Sequence, residues 1–490
     1  MLEKKQTNPI WSPKIVPLLS IFLGLTILAF AIIEQQLLIA IAIVAAPFTL
    51  AIIGFGFIKP HFILLLYTLF SFFLTEIMRQ GRISQLSIGF EVLTLWGFIA
   101  VALYSYLKKG EIKWEHSINM LTISYIPWLI FSVIQLSNST TNQAGISTGI
   151  RVWIIRTTLL YLLLSVMTDR PKVLKIALDI VSVLMFFAVI KLLWQKYIGF
   201  NDAEMYWLFV EGNARTHIIS SGIRYFSYFS DAANFGGIMA ASSLVYGIIG
   251  IHFPKSKRKF WYIFIAISSL LSMFISGTRG AMVIPLVGMM LYCLLCKNVQ
   301  IFLATALAGI CFYTFFALTT IGNENDYIRR ARSAFSGSKD ASMNVRLKNR
   351  KEIALFIEHN PFGAGFNGEI VKYWLNADGT YTKGTLPPDS HFVLMWIQTG
   401  FGGLILYIGI CAIVIIDGCR IVLFKLKNKL LRHTLAAFTC ATLGLWASGY
   451  AGNNPGMPPT DFLIAAMMAF VLNGPYIDNQ LEHKTEPQTI

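Results

Sequence analysis

Fourteen apolar runs, most close to twenty residues long and nearly free of charge, divide this chain and leave it few folds to adopt. They fall at 14–33, 36–55, 60–78, 86–106, 118–136, 150–167, 173–194, 232–252, 260–276, 279–296, 300–321, 391–416, 433–450 and 460–474. A run of that length matches the hydrocarbon thickness of a bilayer when helical. The runs are continuous rather than alternating, so each satisfies its backbone as a helix and not as a barrel strand. With 55% hydrophobic residues against 13% charged, a water-soluble fold of 490 residues could not bury so much apolar surface. The expected fold is an all-α polytopic membrane protein with about 12–14 transmembrane helices and one large, partly helical outer loop. The first run lacks a small-residue cleavage site and should remain as a helix.

Charge then orients the runs. With the N-terminus inside, the basic loops Lys108–Lys113, Arg170–Lys175, Lys255–Lys259 and Arg420–Arg432 all fall on the inner side, as the positive-inside rule requires. The expected organisation is one membrane domain over 1–490, with a first large outer loop at 195–231 and a main outer loop at 322–390. An inner tail follows at 475–490, its last 15 or so residues disordered. On this topology the inner side holds 17 Lys and 4 Arg, the outer side 7 Lys and 12 Arg. Lysine inside is ordinary topology signal; arginine outside works against it. A guanidinium binds phosphate or carboxylate through a planar fork, so an anionic substrate at the outer face explains the excess. The alternative is pairing with Glu76, Glu204, Glu211 or Asp231. Nucleic acid does not fit, because the basic residues are split across the membrane.

The main outer loop is the chain's one long polar interval. Asn344–Glu358 sets Val345, Leu347, Ile353, Leu355 and Phe356 among charges, which reads as an amphipathic helix on the membrane or over the bundle. Asn360-Pro361 ends it, and Gly363, Gly365 and Gly368 suggest a flexible turn. Arg346 and Arg350, one turn apart, can share a face and could clamp a diphosphate; for Arg350 the alternative is a solvated helical face. Arg279, in SGTRGA at 276–281, sits where two spans meet with almost no loop. An arginine there is costly unless it is paired or serves a substrate. His391 opens an apolar run after Asp389 or Ser390 as N-cap. The positive helix end favours the neutral imidazole, which suits a general base on a hydroxyl. The alternative is a histidine that merely packs at a helix start. No DxD pair or His/Asp cluster indicates a metal, and no P-loop, GxSxG or dinucleotide fingerprint is present, so no cofactor is expected. The six cysteines read as small buried hydrophobes.

SGTRGA at 276–281, the R-x-x-x-R pair with NPFGAGF at 360–366, and DSHFVLMWIQTGFGGL at 389–404, in that order, resemble the O-antigen ligase and O-antigen polymerase superfamily over roughly residues 220–415. The resemblance implies a metal-independent, inverting glycosyltransferase of the bacterial inner membrane, active at the periplasmic face. Its donor would be an oligosaccharide on undecaprenyl diphosphate and its acceptor a glycan hydroxyl. Arg279 and Arg346 match the diphosphate-binding arginines and His391 the catalytic histidine. Arg224, in RYFSYFSDAANFGG, resembles a further motif, with Asp231 and Asn234. Members differ in acceptor: polymerases extend a lipid-linked repeat, ligases use lipid A-core. The span number and first outer loop lean toward a polymerase of O-antigen, capsule or exopolysaccharide, with a flippase and a chain-length regulator as possible partners besides membrane lipids. A rival class is a transporter or flippase for the same lipid-linked glycan, for which Asp179 is the main mid-membrane charge.

Overall fold

The computed structural model describes residues 49–485, apart from 220–221, 297–298, 334, 336–340 and 376–380. The expected span 14–33 and most of 36–55 lie outside the described residues. A helix stands at each of the twelve expected positions from 60 onward. Among the described residues, eight helices are long and apolar enough to cross a membrane. The count is nine when Thr460–Leu472 and Gly474–His483, bent by 52°, are taken as one span. Met120–Gln135 and Thr305–Leu318 are apolar but shorter. The fold is therefore all-α and polytopic, as expected.

The helix Ala232–His252 forms the centre. Its small residues (Ala232, Gly236, Gly237, Ala240, Ala241, Ser242) let neighbouring backbones approach closely, the way helices pack in lipid. In its most apolar stretch 83% of residues are buried, against 28–39% in the other spanning helices. It packs against Lys257–Ile275, Arg279–Cys296 and Lys429–Ser448. The outer ring presents Val92, Ile99, Ile130, Val133, Phe187, Ile190, Phe264, Ile267, Leu303, Leu307 and Ile405 exposed, a belt that only lipid can cover.

Three expectations change. The first concerns 391–416, which is not one helix. Gly400 takes φ 67° and breaks it. His391 Nε2 lies 2.9 Å from Tyr407 Oη, whereas sixteen residues of straight helix would separate their backbones by roughly 24 Å. A short helix from His391 therefore meets a long one from Phe401 to Phe424 at a sharp turn. The carbonyls freed at the break are taken up from elsewhere: Ala364 N donates to Ile397 O (2.7 Å) and Gln135 Nε2 to Gln398 O (2.8 Å). A Cβ on Gly400 would stand 1.8 Å from Pro361 O, so only glycine fits.

Second, the turn at 363–368 is packed rather than flexible. Gly365 lies so close to Thr141 that a Cβ there would stand 2.1 Å from Oγ1. Third, the tail reading is corrected over Gly474–Thr485, which is helical. Ile477 and Asp478 are buried, and the Asp478 carboxylate accepts from Lys427 N (2.6 Å) and Asn428 N (3.1 Å), tying down the residues just before Lys429–Ser448.

The amphipathic helix forms at Ala341–His359 and ends at Asn360, as the sequence indicates. Its inward face is Ile353 and Ile357 with Phe356, set on Val393 and Ile397 of the short His391 helix. Val345, Leu347 and Leu355 are exposed: Leu347 and Leu355 fall off that four-residue stripe, and Val345 lies on it two turns before Ile353. A hairpin the sequence reading lacked, Val371–Leu375 with Tyr381–Thr385, closes the same loop. All six cysteines are free; only Cys311 is exposed.

Candidate active site

The turn between Lys429–Ser448 and Thr460–Leu472 organises the site. In the sequence, Asn453–Pro459 of this turn shows only a Pro/Gly signature. Its backbone carbonyls receive groups from two sides: Arg346 Nη1 donates to Ala451 O at 3.0 Å, and the His391 amide donates to Gly449 O at 2.8 Å and Gly452 O at 3.1 Å. Ser390 caps the short helix and its hydroxyl donates to Gly449 O (2.9 Å). Asp389 has φ 49°, a left-handed conformation that aspartate tolerates, and its carboxylate accepts from Asn349 Nδ2 at 2.9 Å. The Arg346 helix thus holds Asp389, two residues before His391, as well as carrying Arg346 and Arg350.

On one side of this turn the arginines gather. Arg224 donates to Thr216 O and to Thr278 Oγ1, each at 3.0 Å, and Thr278 Oγ1 donates onward to Ala232 O. Arg279 donates to Ser333 Oγ at 3.1 Å. Arg330 lies against Gly277, whose φ of 63° and missing Cβ admit the guanidinium; a Cβ would meet Nη1 at 3.1 Å. Burial lowers the Arg224 guanidinium, and the charges of Arg279 and Arg346 lower it further while Asp231 opposes them. Arg330 is pushed down to about 10, by burial first and then by Arg224 and Arg279. It stays cationic at neutral pH, so four positive charges burden one another around this turn. Such a cluster is stabilised when an anion enters it.

Two of the outer acids, Glu76 and Glu204, are engaged elsewhere. Glu76 pairs with Arg79 (2.8 Å) and Lys191 (3.5 Å), and the buried Glu204 with Lys191 (2.8 Å). These ions form a strut under the first loop: Arg79 Nη2 donates to Phe229 O at 2.7 Å, and Gln195 donates to Ser227 O at 3.0 Å. That strut fixes the segment carrying Arg224. Asp231 caps Ala232–His252 through Ala233 N and Asn234 N, and Asn234 Nδ2 reaches Pro458 O at 2.7 Å. Both are occupied in building the fold. Arg350 shares the Arg346 face as expected but lies to one side, on Tyr450: Nη1 reaches Oη at 2.5 Å, with the guanidinium 4.3 Å from the ring. His217 is buried against Trp207 and Phe226, and its Nε2 accepts from Ala232 N at 3.3 Å; burial lowers it.

On the other side of the turn, His391 is 3% exposed. Asn453 Oδ1 lies 2.7 Å from Nδ1 and Tyr407 Oη 2.9 Å from Nε2. The amide oxygen only accepts, so Nδ1 carries the proton and Nε2 accepts from the tyrosine. This is the neutral imidazole, with the basic nitrogen facing a cavity of about 250 Å³. The structure therefore brings Arg224, Arg279 and Arg346 together, sets His391 across one turn from Arg346, and leaves Arg350 at the rim. Sequence reading missed Arg330, Asn453 and Tyr407 as neighbours of the site. The Arg-Arg-Ala-Arg run at 329–332 was the only local sign of the first.

No curated protein matches the chain. The O-antigen ligase family model matches residues 237–408, which hold Arg279, Arg330, Arg346, the broken helix and His391. Over that stretch the chain is similar to the O-antigen ligase family, in line with the motifs that resemble the O-antigen ligase and polymerase superfamily.

Proposed function

We propose that the protein is an inverting glycosyltransferase that moves a glycan from undecaprenyl diphosphate to a sugar hydroxyl at the periplasmic face of a bacterial inner membrane. The observation that carries this is the four-arginine cluster standing one turn from a neutral, buried histidine. Arg224, Arg279, Arg346 and Arg330 hold the diphosphate, with Arg350 at the rim of that site; the outer loop 322–390 acts as a lid. The acceptor hydroxyl replaces Tyr407 at His391 Nε2 and gives up its proton there. Its oxygen bonds to the anomeric carbon as the bond from that carbon to the diphosphate oxygen breaks. The charge that develops on the diphosphate falls among the guanidiniums, which do the neutralising work that a divalent ion does elsewhere. Repeat-unit polymerisation is the preferred reaction; ligation to lipid A-core is the alternative. Against the transporter reading, Asp179 is taken up by Arg258 (2.5 Å) and Tyr262 (2.8 Å).

Protein reconstituted with lipid-linked oligosaccharide should release undecaprenyl diphosphate only when an acceptor is present, equally with and without EDTA, and His391→Ala should abolish release. Offering a second lipid-linked repeat or lipid A-core separates polymerase from ligase. Movement of donor across vesicles without release, or normal turnover by His391→Ala, overturns the reading; sensitivity to EDTA overturns its metal-free part.

A further inference from the structure

The cavity that His391 Nε2 faces has chemistry the arginine cluster does not use. Three indoles wall it, Trp128, Trp153 and Trp446, and the Arg156–Asp461 ion pair stands among them, Nη2 to Oδ2 3.3 Å. Two buried donors in this wall, Trp128 Nε1 and Arg156 Nε, have no hydrogen-bond partner among the described residues. Buried donors without partners are rare unless water or a ligand meets them. An ionised pair inside a membrane bundle likewise marks a site rather than a filler. The helix that supplies Trp153 and Arg156 is wound as a π-helix over Gly149–Arg156. Such turns are uncommon and recur at functional sites, because the extra residue per turn re-aims side chains. Phe366 stacks on Trp153 at 5.9 Å, so the NPFGAGF turn backs one wall residue of this cavity, while Pro361 of the same turn packs against the break at Gly400.

We infer that this cavity binds the terminal sugar ring of the acceptor glycan, with the indoles against its C–H faces and Arg156 and Asp461 on its hydroxyls. The argument is chemical. A pyranose is apolar on its faces and ringed by groups that both donate and accept. Flat aromatic walls with one fixed donor–acceptor pair complement that pattern, whereas an acyl chain would leave Trp128 Nε1 and Arg156 Nε unsatisfied. At about 250 Å³ the space takes one ring and not a chain. The acceptor therefore enters by its end residue and presents one hydroxyl to His391 Nε2. This rests on the function proposed above, since it assigns the acceptor half of that reaction.

The test uses full-length protein in lipid nanodiscs and two readouts. In transfer assays, Trp153→Ala and Asp461→Asn should each raise the acceptor KM at least tenfold while the donor KM stays within twofold. Trp153→Phe should recover most of the loss. In the second readout, wild-type protein is titrated without donor against glucose, galactose, mannose, rhamnose and N-acetylglucosamine while tryptophan fluorescence is followed. At least one sugar should give a saturable change, and Trp153→Phe should reduce it. An unchanged acceptor KM in both variants overturns the assignment, as does a flat titration with every sugar. If Asp461→Asn fails to fold, the swap Arg156→Asp with Asp461→Arg keeps the pair; restored folding with wild-type acceptor KM would also overturn it. Absence of any transfer by the wild type alongside a saturable sugar response would sink the proposed reaction and spare the pocket.

Discussion

Arg330 carries a charge that its surroundings oppose. Burial and the cations Arg224 and Arg279 hold it at about 10, below the ordinary guanidinium value. A lowered cation costs the folded state below that pH, since the unfolded chain holds the proton more readily. Arg330→Gln should therefore raise the unfolding temperature of donor-free protein at neutral pH. The same change should remove stabilisation by added pyrophosphate and lower turnover about 10²-fold. Thermal unfolding with and without pyrophosphate checks both parts; a variant that is less stable in the absence of anion means the cluster is not strained. In the proposed reaction Asn453, 2.7 Å from His391 Nδ1, acts on the base rather than on substrate. Asn453→Ala takes the acceptor from Nδ1–H and frees the ring to turn or change tautomer. Turnover should fall about 10- to 100-fold with both KM values unchanged. A rise in either KM would give Asn453 a contact with substrate instead.

Among the elements, the broken helix shows best where sequence reading reaches and where it stops. The run 391–416 is apolar from end to end, and glycine is tolerated inside such patterns, so nothing local announces a turn at Gly400. What decides it is Pro361, thirty-nine residues earlier, whose carbonyl fills the space beside Gly400. Only tertiary structure makes that contact, and with it the pairing of His391 and Tyr407. The N-terminal boundary was legible, by contrast, because Ser390 and the residues before it form a local cap. Gly400→Ala should displace the short helix and cost nearly all transfer, while the arginines still bind pyrophosphate. Equal loss of pyrophosphate binding would show that the break supports the whole site.

At the scale of the whole molecule, the bilayer makes the fold readable. Length and hydropathy place each helix from 60 onward because lipid rewards the same pattern everywhere. The site has no such code. Arg224, Arg279, Arg330, Arg346, His391 and Asn453 come from six segments, and motif order alone joined four of them. Sidedness has its own experiment. In a cysteine-free background, Lys348→Cys should react with an impermeant maleimide from outside intact spheroplasts, and Lys109→Cys only after lysis. The opposite pattern inverts the topology.

The Ala451 carbonyl now gains a meaning beyond anchoring. It occupies Arg346 much as a phosphate oxygen would, and the same short turn suspends the amide of His391. In the proposed reaction, a donor that drew Arg346 away would loosen the turn from which His391 hangs. Water could otherwise attack an activated glycan as readily as an acceptor does. In that reaction, a base withheld until the donor has seated would be a safety catch against that waste.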